Sequence, residues 1–95
     1  MKLLITSQGE YMNSQYCGDF EECEYIIIYD TLTKQYASRK SPSFYTKNSD
    51  DLINFLKAIL IKHIITSKDV PGFKVYKPKN KNATVEEVIM EYLSN

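Results

Sequence analysis

Two cysteines and four acids crowd into residues 17–24, "CGDFEECE". Thiols are the chain's best candidates for metal or cluster ligation, because a thiolate is a strong soft-metal donor. The spacing, Cys17 to Cys23, matches no standard zinc signature. Two thiolates also need further ligands, which Asp19 or Glu22 could supply within the loop and a second subunit from outside it. The single histidine, His63, falls at the opposite end of the expected sheet. Three or four strand residues at ~3.3 Å each put it roughly 10–13 Å from the cysteine loop, too far for one tetrahedral site. The alternative places Cys23 against the sheet and Cys17 in the loop, both as reduced thiols.

Other chemistry is sparse. Ser7 and Ser67 have no base at a useful spacing, and no phosphate-binding glycine loop or cofactor fingerprint is present. His63 continues the apolar line of a predicted helix, the place of a satisfied, half-buried histidine. Tyr25, Tyr29, Tyr36, Tyr76 and Tyr92 fall on strand or helix faces and read as packing. The chain is expected not to be an enzyme.

Net charge is zero over 95 residues, which removes any strong bulk attraction to nucleic acid or membrane. Eleven of the basic residues are lysine, and Arg39 stands alone, against specific reading of bases. The charge is uneven: Asp19, Glu21, Glu22, Glu24 and Asp30 form an acidic stretch, and Lys68, Lys74, Lys77, Lys79 and Lys81 a basic one. Such runs are usually solvated loops. No signal peptide and no apolar run approaching ~20 residues is visible. A cytoplasmic protein with reduced cysteines is the expectation.

The elements that must hold these residues follow from pattern. Residues 2–6, "KLLIT", read as a buried strand, and residues 7–23 as a long polar loop of the kind that often carries function. "EYIIIYD" is apolar on both faces and belongs inside a sheet. "TLTK" is a turn, "QYASRK" a polar edge strand, and Pro42 ends it. "NSDDLINFLKAILIKH" is the clearest helix, capped by Asn48 or Ser49, with Leu52, Phe55, Leu56, Ile59 and His63 on one face, widened by Ile53 and Leu60. "HIIT" and "FKVY" are short strands around a Pro71-Gly72 turn. "TVEEVIMEYL" is a closing helix with Thr84 and Glu87 as capping box.

This order predicts an α/β domain: a mixed sheet of about five strands, the first three antiparallel, with two main helices. The first and fourth strands should be parallel neighbours, which brings residues 7–23 and 66–70 to the crevice where open α/β sheets bind ligands. Tyr16, Cys17, Asp19, Cys23, Thr66, Ser67 and Lys68 are the candidate binding residues, with Cys17 and Cys23 as metal ligands. One connection is anomalous. Parallel neighbours normally need about a dozen linking residues or more, and residues 67–72 are too few for a helix. Either the chain crosses bare, or "FKVY" pairs elsewhere, with a second subunit completing the edge.

Three stretches resemble the dinitrogenase iron–molybdenum cofactor biosynthesis family, the nitrogenase accessory factors. "MKLLITS" resembles its opening strand, and "FEECEYIIIYDTLTKQY" its Phe-Gly-Arg-Ala-Pro-Tyr-Phe-x-Ile-Tyr-Asp run and following turn. "GFKVYKPKNKNATVEEVIMEYLSN" resembles the closing strand and the Thr-Val-Glu-Glu-Ala helix start. Ser41-Pro42 and "IIT" fall where the family has an Asn-Pro and a Val-Ile-Thr-Gly strand end. The resemblance implies a ribonuclease-H-like fold over residues 1–95 and a carrier or scaffold for an iron–sulfur or iron–molybdenum precursor. The chain departs at the family's His-Phe-Gly-Arg-Ala, where Asp19, Glu21, Glu22 and Cys23 replace His, Gly, Arg and Ala. An acidic loop repels an anionic cluster unless Lys68 and its neighbours compensate. A protein-interaction module that has lost cluster binding therefore stands beside the carrier, with the acidic and basic segments as partner surfaces, complementary to each other in a homodimer.

Overall fold

A computed structural model describes residues 1–94. Its strands are β1 (Lys2–Ser7), β2 (Tyr25–Asp30), β3 (Tyr36–Lys40), β4 (His63–Ile65) and β5 (Lys74–Tyr76). Its helices are α1 (Ser43–Thr46), α2 (Ser49–Ala58) and α3 (Val85–Leu93). The sheet order is β3-β2-β1-β4-β5. The first three strands are antiparallel, whereas β1–β4 and β4–β5 are parallel. This is the expected α/β mixed sheet of five strands.

Strand alternation sorts the core into two layers. Leu3, Ile5, Ile27, Tyr29 and Ile65 face α3 and meet Val85, Val88 and Ile89. Leu4, Ile26 and Ile64 point the other way and meet Leu52 and Leu56 of α2. The central strands are therefore apolar on both faces because both are covered. All five residues of β3 are exposed, as befits an edge. The β2–β3 turn lacks Asn-Gly. Instead Asp30 Oδ1 accepts from the Leu32 and Thr33 amides, and Lys34 adopts φ 62°.

The capping box at Thr84 and Glu87 is present, and the Asn48 side chain caps α2 by accepting from the Asp50 amide. The far end of α2 corrects the sequence reading. The helix stops at Ala58 rather than running to His63. Leu60 turns left-handed at φ 62°, the Leu60 amide donates to the Lys57 carbonyl at 3.2 Å, and the Ile61 amide to the Leu56 carbonyl at 3.0 Å. That is a Schellman stop. It drives Ile61 into the core and leaves Leu60 82% exposed. His63 consequently lies in β4, between Leu3 and Lys74, not on a helix face. Helix α1 was not anticipated; it is a single turn after Pro42.

The anomalous connection is a bare crossing. β5 lies parallel to β4, with Lys74 opposite His63. The strands are three residues long, so the return path is only ~10 Å. Gly72, at φ 87°, turns the chain back. Val70 is 6% exposed and packs with Leu4, Leu52, Leu56 and Ile64, so a single valine fills space that a crossover helix would otherwise cover.

Candidate functional site

Strands β1 and β4 end in the same four-residue pattern. Leu4-Ile5-Thr6-Ser7 lies beside Ile64-Ile65-Thr66-Ser67, with Leu4 opposite Ile64 and Ile5 opposite Ile65. Both threonines are fully buried, and their hydroxyls lie 3.2 Å apart. Thr6 donates to the Cys17 carbonyl. Thr66 donates to the Gly18 carbonyl at 3.2 Å, which also accepts from the Ser67 amide at 3.1 Å. Between β1 and β4 the chain's connections diverge to opposite sides of the sheet, which makes this edge the topological switch point.

The loop is thus pinned from below. Tyr16 is 2% exposed, packs in the α3 layer, and its phenol oxygen meets Ser67 Oγ at 2.8 Å. Burial pushes the Tyr16 phenol up, against the lowering effect of its Ser67 and Thr66 partners. Gly18 seats directly on Ser67: an added Cβ would fall 2.5 Å from Ser67 Oγ and 2.8 Å from its Cβ. The loop also serves α3, because the Ser14 and Met12 carbonyls accept from the Val85 and Glu86 amides at 2.9 and 2.8 Å. Those are first-turn donors that no intrahelical partner reaches.

Residues 19–23 form a tight turn. Asp19 Oδ1 accepts from the Glu21 and Glu22 amides at 3.1 and 3.2 Å, and the Cys23 amide donates to the Asp19 carbonyl at 3.2 Å. Phe20, 3% exposed, anchors the turn in the α2 layer. The turn brings the Cα atoms of Cys17 and Cys23 to 5.9 Å, within disulfide reach, and the two sulfurs are bonded. This corrects the expectation of two reduced thiols. The physical reason is the turn itself, invisible in a bare five-residue spacing.

All seven candidate residues therefore converge on one edge. Lys68 Nζ reaches Asp19 Oδ1 at 3.4 Å, so basic and acidic segments meet within the chain. Glu24 pairs with Lys40 at 3.3 Å, and hydrogen bonds to the Tyr45 phenol and then to Glu24 raise the Lys40 ammonium above its ordinary value. Glu21 and Glu22 enter no ion pair among the described residues. His63 stays apart, opposite Leu3 at the start of β1. Sequence reasoning missed Thr6 and Gly18. The repeated Ile-Thr-Ser at two strand ends was the available signal for Thr6.

In this form the donor set does not fit a metal cluster. Each sulfur is bonded to the other, the Asp19 carboxylate is engaged by two amides and Lys68, and among the described residues no three His, Cys, Asp or Glu side chains converge. A hollow beside the turn, lined by residues that include Phe20, Glu21, Ser49, Ile53, Lys68 and Val70, holds about 80 Å³, room for only a few waters. Among the described residues no helix is long and apolar enough to cross a membrane.

A three-layer α/β protein with a polar, disulfide-closed loop at its switch point is the class these features define. No family model matches the chain, and no curated protein does. Solved structures do. An NMR structure of a Thermotoga protein, provisionally described as a NifB protein of the DUF35 family, superimposes with a TM-score of 0.77 at 21% identity, covering 99% of this chain and 88% of that one. The apo form of the orange protein from Desulfovibrio gigas superimposes with a TM-score of 0.75 at 15% identity, covering 98% and 87%. At these identities the likeness is one of fold.

Proposed function

We propose that this chain is a small non-enzymatic protein of the nitrogenase-accessory-factor type, one domain over residues 1–95, that carries an iron–sulfur or iron–molybdenum precursor in the cytoplasm. The observation that carries this reading is the convergence of two sulfurs, Cys17 and Cys23, with Asp19 at the switch point of the sheet. The fold likeness adds support. One neighbour is described as a NifB protein and another as an apo form, and neither description names a reaction. In this reading the cluster is cargo. Reduced Cys17 and Cys23 hold it, Tyr16, Thr66 and Ser67 fix the loop beneath, and Lys68 offsets part of the acidic charge.

The test is iron and acid-labile sulfide analysis of reduced protein, purified anaerobically and offered both. Near-stoichiometric retention, lost in Cys17→Ser, is expected. No retention by the reduced wild type overturns the reading.

A second reading has its own observation. The hydroxyls and carbonyls at the switch point satisfy one another, and no buried side-chain polar atom among the described residues lacks a partner. That favours a protein-interaction module whose exposed Glu22 and half-exposed Glu21 face a basic partner or a second copy. Self-association that weakens steeply with salt, in protein that takes up no iron, is its signature.

A further inference from the structure

The disulfide sits where the proposed cargo would be held, so the site cannot be both oxidised and loaded. We infer that Cys17–Cys23 is a reversible redox lock on this loop, closed as a disulfide and opened by a dithiol reductant. The inference rests on the carrier reading and adds regulation to it.

Three features favour a lock over a structural staple. First, non-covalent contacts already hold the turn. Phe20 is in the core, Asp19 Oδ1 accepts two amides, the Cys23 amide bonds the Asp19 carbonyl, and Ser43 Oγ donates to the Glu21 carbonyl at 3.0 Å. Reduction therefore leaves the two thiols close together, ready to re-form the bond. Second, the ring spans only six residues of separation, and closing a short ring constrains the unfolded chain less than closing a long one. Third, the sulfurs are unequally placed. Cys23 is 1% exposed, while Cys17 is only half-buried, so an external thiolate reaches Cys17 first.

The chemistry balances without any other reagent. A thiolate of the dithiol attacks Cys17 Sγ, forming a mixed disulfide and breaking the Cys17–Cys23 bond. Cys23 Sγ leaves with the electron pair and takes a proton. The Asp19 and Cys17 carbonyls beside it, the latter at 3.3 Å, can accept the new S–H. The reductant's second thiol then displaces Cys17 Sγ, so the protein gains two thiols and the reductant becomes the disulfide. The exposed Glu22 and half-exposed Glu21 disfavour small anionic thiols and favour a dithiol carried on a neutral or basic protein surface. In a reducing compartment, disulfides are typically of this transient, sensing kind.

The test compares air-oxidised and dithiol-reduced wild type, each offered iron and sulfide anaerobically and then desalted, with alkylation counting free thiols by mass. The expected result is no alkylation and at least tenfold lower iron retention in the oxidised form, two alkylations and full retention in the reduced form, and release on reoxidation. Circular dichroism should not change between the two forms. Equal retention by both forms overturns the lock while iron is still carried. A Cys17→Ser/Cys23→Ala variant that retains iron overturns the lock and, with it, the assignment of both cysteines as ligands. No retention by either form overturns the carrier reading, and the lock with it. Two free thiols persisting in folded protein after oxidant overturn the lock alone.

Discussion

The phenol of Tyr16 and the hydroxyl of Ser67 meet at 2.8 Å, joining the loop after β1 to the residue that follows Thr66 at the end of β4. One side chain thus couples the candidate loop to the far half of the sheet. Tyr16→Phe should lower stability by about 1 kcal/mol, the usual net worth of one such bond, read by urea unfolding at neutral pH.

The same phenol carries a pH dependence. Burial raises the folded Tyr16 above its ordinary value of 10.0, so the folded state keeps its proton where the unfolded chain has lost it. The resulting stability is intact below pH 10 and declines as pH climbs from there through the folded value. Wild type should therefore lose more stability between neutral pH and pH 11 than Tyr16→Phe does. Parallel curves for the two proteins would contradict the assignment.

Gly18 is needed for space rather than for backbone freedom. Gly18→Ala puts a methyl group against Ser67, and overpacking of this kind costs about 1–3 kcal/mol. In a Ser67→Gly background, which removes both clashing atoms but also the Tyr16 partner, Gly18→Ala should cost much less than it does in wild type. An equal cost in both backgrounds would show that the strap is held by something other than this contact.

Leu60 pays for a turn that glycine makes freely. It is left-handed and almost wholly exposed, so Leu60→Gly sacrifices little packing. The substitution should stabilise the protein by about 0.5–1 kcal/mol, raising the melting temperature by a few degrees.

Val70 bears the bare crossing. Val70→Ala should destabilise by about 1–3 kcal/mol, and β5 amides should exchange faster than those of β1. Uniform acceleration over both strands would mean that β5 does not depend on the crossing for its place.

What could be read from the sequence was whatever repeats locally. Ile26 to Ile28 announced a strand covered on both faces, and Thr84 with Glu87 announced the start of α3. The end of α2 could not be read, because the stop signal is normally glycine and here a leucine takes the left-handed position. The candidate residues fall together because parallel strands deliver their C-terminal ends to one edge. The disulfide escaped because it depends on a turn set by Asp19 and Phe20, one through backbone amides and the other through a distant core. Val70 escaped because nothing local distinguishes a loop valine that plugs a core from one that does not.

The pairing of the Met12 and Ser14 carbonyls with the first amides of α3 has a consequence for biosynthesis. The loop beside the candidate site receives its backbone partners from Val85 and Glu86, the far end of the described chain. A nascent polypeptide cannot fix that loop until those residues clear the ribosomal tunnel. During synthesis the outer loop, Met12 to Ser14, therefore settles later than the turn that brings Cys17 to Cys23, which Phe20, Asp19 and Ser43 hold.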